Sequence, residues 1–226
     1  QGNMHLDPEK ATKVDLSYNI NSEVVNLFVN GYLNYTTDYI SQVTKMDGER
    51  LITTYANADS DLKTGVELSL KVTPAKWVNF SVSANTYYVT TEGIFKGTHI
   101  DNNGWTNNSN LMFNFIPWKG GDIQVQYFVT TPQYYPQLTT SLTHQMNIGI
   151  KQRLLKSAMT VSVLVTDVLN TAKWEVWSHN NLFDLMNSSK NKSRMLWLGV
   201  SYNFNSFKQK GGQKTETNRS LIRLGM

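Results

Sequence analysis

The feature that most constrains the fold of this chain is a long alternation of apolar and polar residues with a period of two. From Val25 onward it continues for about 16 residues without a turn signal, whereas strands of globular proteins usually have about 5–6 residues. A period of two places successive side chains on opposite faces of a β-strand. Helical periodicity is nearly absent from the sequence. The alternation therefore predicts an all-β fold with unusually long strands.

Similar alternation recurs along the chain and predicts about nine strands that run up and down in turn. The predicted strands lie near residues 12–19, 24–40, 64–73, 77–91, 109–117, 122–131, 144–153, 158–169 and 192–204. An odd number of strands cannot close a typical single-chain bacterial barrel, which has an even number. The chain also begins at Gln1 and shows no signal peptide. We therefore expect it to be a fragment.

The connections between these strands alternate strictly between short and long. Short turns are predicted at 19–23, 73–77, 117–122 and 154–157, and long polar stretches at 41–63, 92–108, 131–144 and 170–191. In an up-and-down meander, this alternation puts all tight turns at one edge of the sheet and all long loops at the other. Transmembrane β-barrels have this arrangement, with short periplasmic turns and longer extracellular loops. The pattern predicts that residues 1–204 form part of an antiparallel up-and-down transmembrane β-barrel.

The polar positions of these strands carry mainly Asn, Ser, Thr, Gln and Tyr, as expected for the wall of a water-filled or plugged lumen. Apolar residues such as Leu27, Val29 and Leu33 alternate with them and are expected to face lipid. The side chains predicted to face the lumen are Asn26, Asn30, Asn34, Asp38, Glu67, Asn79 and Asn85.

Aromatic residues concentrate toward the ends of the predicted strands. Amphipathic rings of Tyr and Trp form belts at both membrane–water interfaces. The residues assigned to these belts are Tyr35, Tyr39, Trp77, Trp118, Trp174, Trp177 and Trp197. Phe204 is predicted to end the last barrel strand. A β-sandwich would place such rings in its core or at its rim, but the strand lengths and the alternating loop lengths favour the barrel.

The stretch DVLNTAKWEVW, residues 167–177, contains Asp167 and Asn170, which would normally end a strand in a soluble sheet. At a membrane interface a strand can continue beyond the hydrocarbon region. We therefore expect both residues on a continuing strand, in the headgroup region or above it, and the two tryptophans then need no buried core. The alternative is an ordinary turn between two strands.

The sequence contains no arrangement of residues that indicates catalysis. Cysteine is absent, which excludes disulfides, thiolate metal sites and cysteine nucleophiles. The four histidines have no metal-binding spacing, and neither a phosphate-binding loop nor a Gly-x-Ser-x-Gly motif occurs. The sequence thus predicts neither an enzyme nor a metal or cofactor site.

The formal net charge of +4 does not indicate a nucleic-acid partner. The excess lies in residues 205–226, which carry five basic residues and one acidic residue, and the rest of the chain is balanced. This tail has few large apolar side chains and is predicted to be disordered and periplasmic. No apolar run approaches the roughly 20 residues that a transmembrane helix needs.

Three short stretches, taken together in their order and spacing, resemble segments of TonB-dependent receptors, in particular the Bacteroidetes outer-membrane β-barrel subgroup. GNMHLDPEKATKVDLSYN (2–19) resembles a Gly-Asn-x-x-Leu-x-Pro-Glu-Lys stretch that opens the later barrel strands of that family. DVLNTAKW (167–174) is similar to a segment on the penultimate strand. LGVSYNF (198–204) is similar to the last strand, which finishes on an aromatic residue.

The resemblance implies the C-terminal part of an outer-membrane barrel of about 22 strands, which closes around a plug that this chain does not contain. It implies energy supply by the TonB system through that plug, contact with outer-membrane lipid, and a surface lipoprotein as a further partner. It also implies uptake of a large nutrient such as a siderophore, cobalamin or a glycan. Met4, Leu169 and Asn205 depart from the family pattern, which usually has Pro, Phe and Gly at these places.

Two other functions remain open on the sequence alone. The first is a different barrel, either a passive porin or an adhesin. The second is a secreted carbohydrate-binding β-sandwich, which would also use exposed Trp and Tyr and would have short strands and mixed loop lengths.

Overall fold

Fifteen β-strands, all paired antiparallel, account for nearly all regular structure in the computed structural model, which describes residues 3–180 and 183–204. In chain order they are β1 (Lys10–Asn21), β2 (Val25–Asp47), β3 (Arg50–Ala75), β4 (Val78–Glu92), β5 (Ile94–Phe95), β6 (Thr98–His99), β7 (Asn102–Phe115), β8 (Gly121–Thr130), β9 (Tyr134–Tyr135), β10 (Leu138–Thr140), β11 (Thr143–Leu154), β12 (Met159–Thr166), β13 (Trp174–Asn180), β14 (Phe183–Ser189) and β15 (Met195–Tyr202). No helix in these residues has the length and apolar character needed to cross a membrane. The tail at 205–226, predicted to be disordered, lies outside the described residues.

Nine of these strands form one continuous sheet in the described part of the chain, in the order β1–β2–β3–β4–β7–β8–β11–β12–β15. Each strand pairs with the next strand of this sheet along the chain, so the topology is an up-and-down meander. Within the described residues, β1 and β15 each have a neighbour on one side only, so the sheet is not closed. The predicted antiparallel meander of nine strands is confirmed.

Tight turns join β1 to β2, β3 to β4, β7 to β8 and β11 to β12, all at one edge of the sheet. In the first turn, the amide of Val25 donates a hydrogen bond to Ser22 Oγ at 2.9 Å. In the third, Gly120 has a φ of +80°, and a Cβ atom there would lie 2.8 Å from the carbonyl oxygen of Arg153. A glycine suits both the left-handed backbone and the close approach.

The long connections leave the opposite edge and fold into structure of their own. There, β14, β13, β10 and β9 form a four-stranded sheet, and β5 pairs with β6. A small apolar core of Val43, Ala58 and Ile100 joins the outer end of the β2–β3 hairpin to the connection between β6 and β7. We call the described residues within 39–58, 93–101, 131–142 and 167–194 the cap.

Strands β2 and β3 extend far beyond their predicted ends. The stretch 41–63, predicted as a polar loop, continues as a paired hairpin up to a turn where Gly48 has a φ of +64°. Cross-strand hydroxyl groups help to hold this part, and the Oγ1 atoms of Thr44 and Thr53 are 3.1 Å apart. The prediction was wrong because this part of the hairpin has no regular apolar stripe on one face, so alternation does not reveal it.

Strand β12 ends at Thr166, directly before the Asp-x-x-Asn stretch. Asp167 and Asn170 have φ values of 45° and 57°, and the amide of Asn170 donates to the carbonyl oxygen of Asp167 at 2.8 Å. The prediction of a strand that continues through these residues was wrong, and the alternative, an ordinary turn, is observed. The physical reason is that Asp and Asn tolerate the left-handed conformation and bind neighbouring backbone groups.

The side chain of Asp167 holds the two ends of the connection between β12 and β15 together. It is 0% exposed, and its carboxylate accepts hydrogen bonds from the amides of Thr171 (2.9 Å) and Ala172 (3.2 Å) and from the Ser193 hydroxyl. Burial raises the pKa of Asp167, but these hydrogen bonds outweigh it and hold the pKa below its usual range. The carboxylate is therefore ionised at neutral pH and binds its donors strongly.

We expect Asp167→Ala to destabilise the protein by about 3 kcal/mol, because it leaves three donors without their charged acceptor. The measurement is urea unfolding of the protein in detergent micelles, followed by tryptophan fluorescence. Asp59→Ala is the matched control, since Asp59 is an exposed aspartate of β3 and should change the stability by less than about 0.5 kcal/mol. Equal effects of the two substitutions would contradict the role assigned to Asp167.

Candidate functional site

The register of the nine-stranded sheet sorts its side chains into a polar and an apolar face. One row across β2, β3, β4 and β7 is polar and consists of Asn30, Glu67, Asn85 and Asn108. The adjacent row points to the opposite face, is mainly apolar and consists of Val29, Leu68, Ala84 and Ser109. The alternation of the sequence thus becomes two surfaces of different chemistry.

A recess of about 300 Å³ lies on the polar face, and we call it the polar recess. It is lined by Asp15, Asn30, Tyr32, Asn34, Lys63, Glu67, Asn85, Tyr87 and Asn108. The structure brings four of the seven predicted lumen residues together here, namely Asn30, Asn34, Glu67 and Asn85.

Hydrogen bonds hold several side chains of the polar recess in place. The Tyr32 hydroxyl donates to Asn85 Oδ1 at 2.9 Å. Asn30 Nδ2 donates to Asp15 Oδ1 at 3.3 Å, and Ser17 Oγ donates to Asn30 Oδ1 at 2.8 Å. Amide and phenol groups can both donate and accept hydrogen bonds. The recess is therefore a suitable surface for a polar solute of little net charge.

The other three predicted lumen residues lie elsewhere. Asn26 is paired with Lys71 on the polar face, close to the tight turns. Asn79 Oδ1 accepts a hydrogen bond from Asn114 Nδ2 at 2.9 Å. Asp38 departs from the alternation, because its φ is +55° and its carboxylate lies 3.8 Å from Lys10 Nζ on the edge strand β1.

An ion pair lies where the polar recess meets the cap. Lys63 Nζ donates to Asp61 Oδ2 at 2.8 Å, and Thr91 Oγ1 donates to Asp61 Oδ1 at 2.6 Å. The Asp61 residue is 4% exposed. The ammonium group also lies 5.4 Å from the centre of the Tyr39 ring, within cation–π range. The buried carboxylate of Asp61 thus has a cation, Lys63, and a hydroxyl donor, Thr91, as partners. A buried charge requires such partners.

The connection between β8 and β11, residues 131–142, folds back over the polar face, and we call it the inner loop. Thr106 Oγ1, on the polar face, donates to the carbonyl oxygen of Pro132 at 2.9 Å. Gln133 accepts a hydrogen bond from the Tyr87 hydroxyl at 3.2 Å. A Cβ atom at Gly104 would lie 2.2 Å from the Tyr134 ring, so only glycine allows this ring to lie against the strand. The inner loop therefore covers part of the wall next to the polar recess.

A second contact ties the inner loop to the β2–β3 hairpin. Gln137 Oε1 accepts a hydrogen bond from the Thr44 amide at 2.6 Å, and Gln137 Nε2 donates to the Thr44 carbonyl oxygen at 3.2 Å. The amide of Gln137 thus pairs with one residue of the hairpin as a neighbouring strand would. The inner loop is consequently held from two sides, by the wall and by the hairpin.

Three of the predicted belt aromatics lie on or beside the apolar face. Tyr35 is on β2, its side chain is exposed, and it lies on the same face of the sheet as Leu33. Trp77 and Trp118 lie at the tight-turn edge, where Trp77 packs edge-on against Phe115 at 5.7 Å and Trp118 Nε1 donates to Gln152 Oε1 at 2.6 Å.

Trp105, which lies on the apolar face and contacts Tyr88 edge-on at 5.5 Å, was missed. It falls within 92–108, a stretch that was predicted to be a polar loop. The part from 102 onward belongs to β7 instead. Most residues at the start of β7 are asparagines, with one glycine, and Trp105 is the one large apolar residue among residues 102–108. The alternation of apolar and polar residues is therefore not visible there.

The remaining predicted belt aromatics occupy other places. The Tyr39 ring lies over Lys63, and the register assigns Trp197 to the face of Leu164 and Gly149, which is the polar one. Trp174 and Trp177 both belong to the cap strand β13. Phe204, predicted to end the barrel, is 94% exposed, and its ring contacts Tyr202 edge-on at 4.8 Å.

Five further side chains of the polar recess were not predicted, namely Asp15, Tyr32, Lys63, Tyr87 and Asn108. The alternation of odd and even positions along β1 and β2 could have found the first two. Asp15 alternates with apolar residues, and Tyr32 occupies the even position between Asn30 and Asn34. Lys63 and Tyr87 could have been found in the same way, because they continue the polar sets that contain Glu67 and Asn85. Asn108 lies in a stretch that is polar at both odd and even positions, so no signal there distinguishes the two faces.

No group of three or more His, Cys, Asp or Glu in the described residues could hold a metal ion. The polar recess carries two carboxylates, Asp15 and Glu67, beside amides and phenols. This chemistry suits reversible contact with a solute.

Comparison with known proteins agrees with this architecture. Neither a curated protein nor a solved structure matches the chain. A family model described as the outer membrane protein beta-barrel family matches residues 1–202, which is nearly the whole described sheet and cap. The chain is therefore a member of the outer membrane protein beta-barrel family and is located in the outer membrane.

Proposed function

We propose that this barrel wall belongs to a TonB-dependent transporter that imports a large nutrient of the siderophore, cobalamin or glycan class. The proposal involves no catalysis, no cofactor and no nucleic acid. Its partners are outer-membrane lipid on the apolar face and the TonB system, which would act through a plug outside this chain. A surface lipoprotein would contact the cap.

The inner loop above the polar recess is the observation that carries the proposal. A passive pore needs an open path along its polar wall, whereas here residues 131–142 lie against that wall at Gly104, Thr106 and Tyr87. A solute that reaches the polar recess along this wall from the cap side would pass this loop. Selective binding followed by driven release fits such a covered wall better than free diffusion does.

The chemistry of the polar recess supports the same function. Its amides, phenols and mixed charges can exchange hydrogen bonds with a large polar molecule at several points, as binding sites do with a few placed polar groups. The described sheet has nine strands and two unpaired edges, which supports the proposal that it forms part of the wall of a larger barrel. A barrel with more strands has a wider lumen, which suits a large solute.

The proposal is tested by growth of the parent organism on single sources of iron, cobalamin or glycan. Deleting the gene should abolish growth on one of these nutrients, and inactivating TonB should have the same effect on that nutrient. The double mutant should grow no worse than either single mutant. A deletion strain that loses uptake of small solutes, with no dependence on TonB, would identify a passive pore instead.

The same proposal predicts the orientation of the barrel, with the cap outside the cell and the tight turns in the periplasm. The chain has no cysteine, so single cysteines can be labelled without background. An impermeant thiol reagent on intact cells should label Glu49→Cys and Asn187→Cys in the cap. Glu23→Cys and Lys76→Cys at the tight turns should react only after the outer membrane is permeabilised. Equal labelling of both pairs on intact cells would contradict this orientation.

Two neighbouring residues of β3 test which face meets lipid. Leu70 belongs to the apolar face and Ser69 to the polar face, and they have opposite directions on one strand. Leu70→Arg should destabilise the folded barrel in lipid vesicles by about 2–4 kcal/mol, as a cation near the bilayer midplane does. Ser69→Arg, the matched control, should cost less than about 1 kcal/mol. Urea unfolding measures both, and equal costs would contradict the assignment of faces.

A further inference from the structure

A second cavity lies in the cap, away from the polar recess, and has a volume of about 430 Å³. We call it the outer cavity. Its lining comes from three separate parts of the chain: residues 97–102, residues 136, 137 and 139, and residues 177–178. Its size falls within the range of small-molecule sites, about 300–1,000 Å³.

Trp177 forms one wall of the outer cavity. The preceding residue in β13, Val176, is 7% exposed, whereas Trp177 is 40% exposed. Trp177 is fixed between two strands, because it pairs with Thr139 of β10 and with Met186 of β14. The pairing fixes the backbone of Trp177, and its accessible indole ring offers a flat apolar surface with a hydrogen-bond donor at its edge.

The polar side of the outer cavity is also held in place. Asp101 Oδ1 accepts a hydrogen bond from the Gly93 amide at 2.9 Å, and Asp101 Oδ2 lies 3.2 Å from His99 Nδ1. The Asp101 side chain is nevertheless about half exposed. The hydrogen bond from the Gly93 amide fixes the orientation of the Asp101 carboxylate. A ligand can therefore donate a hydrogen bond to it without first having to order the side chain.

Polar side chains around the outer cavity have hydrogen-bond partners within the protein, so they need no ligand to hold them in place. Asn102 Nδ2 donates to the carbonyl oxygen of Tyr135 at 2.7 Å, and the side-chain amide of Gln137 both accepts from and donates to the backbone of Thr44. The inner loop is thus tied both to the start of β7 and to the β2–β3 hairpin. The outer cavity is therefore a preformed feature of the cap.

We propose that the outer cavity binds a neutral saccharide ring, stacked on Trp177 and hydrogen-bonded to Asp101. A pyranose has an apolar face of C–H groups and an edge of hydroxyls, and the cavity offers an indole face, a carboxylate and the hydroxyl groups of Thr98 and Thr139. Anionic ligands are disfavoured by the carboxylate. Organic cations are disfavoured because Trp177 is the single indole or phenyl ring among the described residues that line the cavity, whereas cation recognition usually uses an aromatic cage.

This site is distinct from the polar recess, and its occupation requires no transport. It is tested by equilibrium binding, so it can succeed or fail independently of the growth experiment on uptake. Binding to a saccharide would not by itself make that saccharide the imported nutrient.

The experiment uses the full-length protein in an amine-oxide detergent, because glucoside and maltoside detergents carry saccharide head groups that would compete. The protein is applied to an array of neutral and anionic oligosaccharides, and the best ligand is titrated by calorimetry. Trp177→Ala and Asp101→Asn should each weaken binding roughly tenfold or more. Trp174→Ala is the matched control, since Trp174 is an exposed tryptophan of the same strand that does not line the cavity. The affinity of the Trp174→Ala variant should stay within about twofold of that of the unsubstituted protein.

Three results would overturn the proposal. They are the absence of binding to any neutral oligosaccharide on the array, equal affinities of the Trp177→Ala and Trp174→Ala variants, and a preference for anionic oligosaccharides. Heat-dependent mobility in gels shows whether each variant is folded. If Trp177→Ala fails to fold, Thr139→Val and Asp101→Asn change the same cavity without removing the ring, and unchanged affinity in both would equally overturn it.

Discussion

Hydrogen bonding of the backbone in hydrocarbon is the constraint on which the rest of this structure depends. A strand inside a membrane cannot bond to water, so each of its N–H and C=O groups needs a partner on a neighbouring strand. The meander from β1 to β15 supplies these partners through long, regular antiparallel ladders. Tight turns such as the one at Ser22 keep successive strands adjacent at one edge. The opposite edge is free of this constraint, and there the connections can lengthen into a cap.

The sequence could predict the part of the fold that this constraint governs. A wall with lipid on one face and water on the other imposes alternation, and the nine strands follow from it. Prediction failed where the constraint ends. The part of the β2–β3 hairpin beyond Asp38 has no face that must be apolar. Its strands therefore have threonines and serines on both faces, and their sequence predicts a loop. The turn at Asp167 similarly satisfies its own backbone groups, and the strand stops there.

The candidate site shows a second limit of sequence reasoning. Alternation predicts which face a side chain occupies, because a register shift of one residue would invert both faces. A shift of two residues would keep every side chain on its face and change all of its neighbours. The sequence could therefore assign Asn30, Glu67 and Asn85 to the polar face. That they form one row depends on strand register, which tight turns and cross-strand contacts determine together.

The cap follows a different physical rule from the wall. Its apolar core is small, with Val43, Ala58 and Ile100 buried, so contacts such as that of Gln137 with Thr44 carry much of its organisation. Polar contacts of this kind depend on direction more than apolar burial does, and they hold residues from separate connections at defined positions. Such an arrangement is well suited to placing an exposed ring like Trp177 beside a carboxylate that lies far away in sequence. The wall thus provides a rigid support in the membrane, and the connections that it leaves unconstrained are the part of the molecule in which binding surfaces can form.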